Sequence, residues 1–60
     1  MNWNELISLA MTLENHNVGV KVLHSSLHIE IKDEVFNLDS PELQRKLTSI
    51  RNVLQLEGKL

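Results

Sequence analysis

The sequence predicts a single small α+β domain over residues 1–60, a three-stranded antiparallel meander with one helix before it and one after, both packed on one face of the sheet. Three observations predict it. Apolar residues recur at helical spacing at both ends of the chain, they alternate with polar residues in the middle, and two successive turns of that middle segment select the same face as core.

The first helix is expected from about Trp3 to Glu14. Asn2, followed three residues later by Glu5, fits a capping arrangement in which side chains and backbone satisfy the orphan groups of the first turn. At helical spacing Trp3, Leu6, Ile7, Ala10 and Leu13 share a face, with Leu9 on one side and Met11 on the other. The stretch "NHNVG" ends the helix, since asparagine tolerates the left-handed conformation and Gly19 soon follows.

In "VGVKVLHSSLHIEIK", Val18, Val20 and Val22 alternate with Gly19, Lys21 and Leu23, and Ile29 and Ile31 alternate with Glu30 and Lys32. A two-residue turn at Ser25-Ser26 sets His24 against Leu27, Val22 against Ile29 and Val20 against Ile31. It also sets Lys21 opposite Glu30, an attractive pair on the other face. Serine is a mediocre residue for a turn that needs positive φ, and a longer loop would move the tip with little effect on the strands. A second turn at Asp33-Glu34 places Ile31 opposite Phe36 and Ile29 opposite Leu38, again with large apolar side chains on the chosen face.

The last helix starts in "LDSPEL". Asp39 as N-cap puts Glu42 at the third helical position and lets Leu38 staple to Leu43, whereas Ser40 as N-cap puts Pro41 at the favoured first position. Leu43, Leu47, Ile50 and Leu54 form the inward stripe.

Composition narrows the function classes. The chain is 42% apolar and 23% charged with one proline and two glycines, a globular balance, yet at 60 residues it is close to the size where only roughly 60% of the unfolded surface is buried on folding. With no cysteine, a disulfide framework and thiolate zinc sites are excluded, so a second subunit or a larger protein partner is the favoured supplement. Eight acidic against six basic side chains argue neither for a nucleic-acid binder nor for a mimic of nucleic acid, both of which usually carry a stronger imbalance, and a nucleic-acid partner is not expected. "MNWNELISLAMTLEN" lacks a basic secretory leader, and no stretch reaches the roughly 20 apolar residues of a membrane span. A cytoplasmic protein without a membrane association is the expectation.

Catalysis is not expected. His24 and His28 stand four apart, a spacing that chelates zinc on a helix, but Ser25 occupies the place of the motif's glutamate; on one strand the two would lie about 13 Å apart, and in the hairpin they face opposite ways. His16 lies in a polar loop, and Ser25 and Ser26 lack the orienting acid and enclosed pocket of a nucleophile site. Asp33, Glu34 and Asp39 sit at a turn and a helix start, where carboxylates serve the backbone. No catalytic residue, metal ligand or cofactor site is expected.

The element order α-β-β-β-α is similar to that of the double-stranded RNA-binding domain, whose two helices also lie on one side of a three-stranded sheet. In that family a lysine-rich cluster at the start of the second helix meets phosphates. The matching stretch here is "SPELQRK", so the resemblance implies Arg45, Lys46 and Arg51 as nucleic-acid contacts in an alternative reading.

The remaining signal is surplus apolar surface. Leu9 and Met11 edge the first helix, Leu23 and Val35 lie on the outer face of the sheet, and Val53, Leu56 and Leu60 sit about 80° to 140° round the last helix from its inward stripe. That second stripe reads either as additional core or as an interface. Leu9, Met11, Val53, Leu56 and Leu60 are therefore the candidate protein interface of a small module, a homodimer that regulates or inhibits a larger protein.

Overall fold

In a computed structural model describing residues 1–60, α1 spans Trp3–Glu14, β1 Val20–Leu23, β2 His28–Ile31, β3 Glu34–Asn37 and α2 Pro41–Leu56. The strands form one antiparallel sheet in the order β1-β2-β3. Val20, Val22, Ile29, Ile31 and Phe36 point to one face of it, where they join Leu6, Ala10 and Leu13 of α1 and Leu43, Leu47 and Leu54 of α2 in a single core.

Local chemistry accounts for the element ends. The Asn2 side chain accepts a hydrogen bond from the Glu5 N–H at 2.8 Å, which caps α1; the reciprocal bond, donated by the Asn2 N–H to the Glu5 carboxylate, does not form. Asn17 adopts φ +55° after α1, and Gly19 adopts φ +84°, the left-handed conformation that reverses the chain into β1. Ser40, rather than Asp39, is the N-cap of α2. It makes no side-chain bond, so Pro41, whose fixed φ suits the first helical turn, and the packing of Leu43 define that end. At the other end Gly58 takes φ +75°, the Lys59 N–H donates to the Leu54 carbonyl at 2.8 Å and the Gly58 N–H to the Gln55 carbonyl at 3.1 Å, a Schellman closure.

The first hairpin has the expected strand register, with Val20 opposite Ile31, Lys21 opposite Glu30 and Val22 opposite Ile29. Its tip differs. Leu23 pairs with His28, and His24-Ser25-Ser26-Leu27 form a four-residue loop instead of a two-residue turn flanked by His24 and Leu27. The Ser26 N–H donates to the Leu23 carbonyl and Leu27 takes φ +55°, so a single residue in the left-handed region replaces the two that a serine turn would need.

The second hairpin departs further. Its turn is Lys32-Asp33, with φ +48° and +72°, and it pairs Ile31 with Glu34 and Ile29 with Phe36. The expected turn at Asp33-Glu34 is thus displaced and the pairing shifted by two residues, so Leu38 lies beyond β3 rather than opposite Ile29. Positive φ at both central residues matches the right-handed twist of the strands, and an aspartate tolerates that region better than a glutamate. The core face survives because side chains alternate with a period of two.

Trp3 is another correction. It lies at the angle of the inward stripe but is 51% exposed, because α1 begins there and the buried stripe reduces to Leu6, Ala10 and Leu13, with Ile7 and Leu9 at its margins. All 12 buried residues of the 60 are hydrophobic, so no internal hydrogen-bond network supplements this core. Leu47→Ala, at a fully buried position, is expected to cost about 2–5 kcal/mol and to leave the chain largely unfolded at room temperature by urea titration. Gly19→Ala is expected to cost about 1–2 kcal/mol in the same assay, since a Cβ there stands 3.2 Å from Lys32 Cγ on a left-handed backbone.

Candidate protein-interaction surface

The surface of α2 is divided by its own period. Leu43, Leu47 and Leu54 are buried and Ile50 half-buried against the core, while Val53 is 51% and Leu56 89% exposed. The second stripe is therefore outside the core. The total accessible surface, 4067 Å², matches the ~4000 Å² of a compact monomer of this mass, so these side chains are not left out by loose packing.

Val53 lines a groove of about 360 Å³ with Val18, Ile50 and Leu54; Lys32, Glu57 and Lys59 supply its charged rim. Leu60 is also 44% exposed, beyond the glycine reversal that ends α2. The residues named on α1 fall elsewhere. Leu9 is half-buried in a more open, mostly polar groove shared with Glu5, Ser8 and Arg51, and Met11, 45% exposed, lies on the opposite flank of α1. Tertiary structure thus separates Leu9 and Met11 from the α2 stripe. On the outer face of the sheet, Leu23 is half-buried beside His28, and Val35 is 53% exposed beside Glu30.

The basic residues do not converge either. Lys46 places its Nζ 5.7 Å from the centroid of the Phe36 ring, a cation-π arrangement. Arg51 is half-buried, with its Nε withdrawn from solvent and unbonded, next to α1, and Arg45 is exposed beside Glu42. Three cations on three sides of α2 do not form a track for a phosphate backbone.

The histidines separate as well: His28 is on the outer sheet face, and His24 is exposed in the loop. Nowhere do three histidine, aspartate or glutamate side chains gather at metal-binding distance. No helix is long and apolar enough to cross a membrane. Sequence reasoning missed the apolar recess beside β3, where Trp3, Leu27 and Leu38 meet, because it depends on the displaced turn and the four-residue loop. No protein-family model, curated protein or solved structure matches the chain.

Substitution is expected to separate the two faces of α2. Leu56→Lys is expected to change stability by less than about 0.5 kcal/mol, whereas Leu54→Ala, two residues earlier, is expected to cost about 2–5 kcal/mol by urea denaturation.

Proposed function

We infer that the chain is a small non-enzymatic protein-interaction module, a homodimer that regulates or inhibits a larger protein by covering part of its surface. The observation that carries this reading is the exposed Val53-Leu56 stripe on a helix whose opposite side is fully engaged. Its groove has an apolar floor and a rim carrying both signs of charge, the composition of a protein-docking surface in which apolar side chains supply affinity and the rim supplies orientation. Nothing in the arrangement of ionisable side chains offers an acid, a base and a nucleophile in one enclosed place.

The nucleic-acid reading draws on element order and on Arg45, Lys46 and Arg51, and their divergence weakens it. The cytoplasm is the compartment proposed for the module, on the absence of cysteine and of an apolar span.

Val53→Gln combined with Leu56→Lys is expected to retain the fold by circular dichroism and to lose both self-association, read by light scattering, and the larger protein that the unaltered chain retains after crosslinking in cells. Unfolding of this double variant would assign the stripe to the core and end the reading. Titration with duplex RNA at low salt is expected to show no binding; binding that weakens steeply with salt would favour the nucleic-acid alternative instead.

A further inference from the structure

The two edges of the sheet are finished differently. The Gly19 carbonyl accepts from the Lys32 N–H at 2.9 Å, which makes these two a hydrogen-bonded pair and, by the antiparallel alternation, turns the backbone groups of Val20 and Val22 away from β2. On that edge α1 packs against β1 and the Glu14 carboxylate accepts a bond from the Val22 N–H at 3.4 Å, so the groups left over there, both of Val20 and the Val22 carbonyl, stand next to a helix rather than at an open edge. The same alternation directs Ile29 and Ile31 toward β3 and turns the backbone of Val35 and Asn37 outward. There the Asn37 carbonyl is occupied by the Ser40 N–H at 3.0 Å, but the N–H and C=O of Val35 and the N–H of Asn37 have no partner in the chain. The β3 edge carries no proline, lysine or bulge to discourage pairing.

We propose that β3 is the seam of the homodimer: the β3 strands of two copies pair antiparallel about Val35, joining two three-stranded sheets into one of six, with Lys46 of each copy meeting Glu34 of the other. The proposal rests on the reading of the chain as a self-associating module and adds the surface that does it. Charge and hydrogen bonding select both the occupant and the register. With Val35 opposite its own counterpart, the two unpartnered Val35 groups of each copy bond reciprocally, and the exposed valine side chains meet on the outer face. Phe36 then stands opposite Glu34 of the second copy, on the helix side of the sheet. Lys46, with its Nζ over that Phe36 ring, holds the cation that this carboxylate needs. Neither Lys46 nor Glu34 has an ion partner within its own chain, where the one pair within 4 Å is Lys59 with Glu57.

The neighbouring symmetric register, Phe36 opposite Phe36, brings the two Lys46 side chains together and asks for the Asn37 carbonyl that Ser40 already holds. It is disfavoured on both grounds. A four-residue edge is small beside the roughly 1,200 Å² of a stable interface, but the two-fold axis of this pairing runs through the sheet and sets both α2 helices on the same face. Val53 follows Lys46 by two helical turns on the same flank, beside Lys32 of the second hairpin's turn, and is the apolar side chain of α2 available to extend the contact.

Charge exchange tests the seam with exposed residues whose replacement leaves the core intact. Sedimentation equilibrium of the full chain from low to high micromolar concentration is expected to show a dimer, with Glu34→Lys and Lys46→Glu each weakening it about tenfold and the double exchange restoring it. The Val35 amide is expected to exchange more slowly with deuterium as concentration rises. A monomer at every concentration overturns the proposal. A dimer indifferent to the single exchanges but dissociated by Val53→Gln with Leu56→Lys also overturns it, while leaving the module reading in place. If the exchanges act as stated and that α2 variant still retains the larger protein, the seam stands and the stripe loses its assigned role.

Discussion

A sheet of three four-residue strands has one face to bury and two helices to bury it with, and every other feature of the molecule follows from that match. The inward residues are two from β1 (Val20, Val22), two from β2 (Ile29, Ile31) and one from β3 (Phe36), a shallow surface. α1 and α2 cover it with three buried residues each, and Leu38 fills the corner where β3 turns into α2. With no polar group in the core and no covalent crosslink, apolar burial supplies the main favourable term, and each such residue carries an unusually large share of it.

The same match explains what is left outside. Once Leu43, Leu47 and Leu54 have met the sheet, the helical period carries Val53 and Leu56 round to solvent, and no further element is present to receive them. The sheet's outer face is in the same position, since both helices are spent on the inner one. The backbone obeys a parallel logic at the sheet's edges, where α1 reaches Val22 through Glu14 and nothing reaches Val35. The unpaired groups of Val35 and the Lys46 cation over Phe36 thus lie at the β3 edge, while Val53 lies farther along the same flank of α2, beside Val18 and Lys32. In the dimer proposed above, a second copy would meet the unpaired backbone groups and the exposed Val35 at one axis, which is the ground for proposing self-association.

The fold was largely legible in the residues. Helical spacing located α1 and α2, and alternation located the strands; both are local properties that a single period reveals. The second hairpin shows the limit of such reading. A turn at Asp33-Glu34 and one at Lys32-Asp33 place the same residues on the core face, because shifting the pairing by two residues preserves the alternation. Hydrophobic pattern is blind to that shift, and the decision falls to backbone φ at two turn residues. The candidate surface was legible only in part. Val53, Leu56 and Leu60 stood out by spacing, and so did the placing of Leu9 and Met11 on opposite sides of α1, whereas the packed helices were needed to put Leu9 beside Arg51 and Val53 beside Val18 and Lys32, in separate grooves.

By itself the sequence determined which residues form helices, which form strands and which side of each faces inward, since these follow from periodicity and from residues with distinctive φ, Gly19 free to take a positive value and Pro41 fixed at a helical one. Only the tertiary structure decided the register of β3, the exposure of Trp3 at the start of α1 and the assignment of the α2 stripe to the surface. It also decided which sheet edge is covered. Those outcomes depend on how few elements are available to cover a given area and on where their ends fall, quantities that belong to the assembled layers rather than to any stretch of chain.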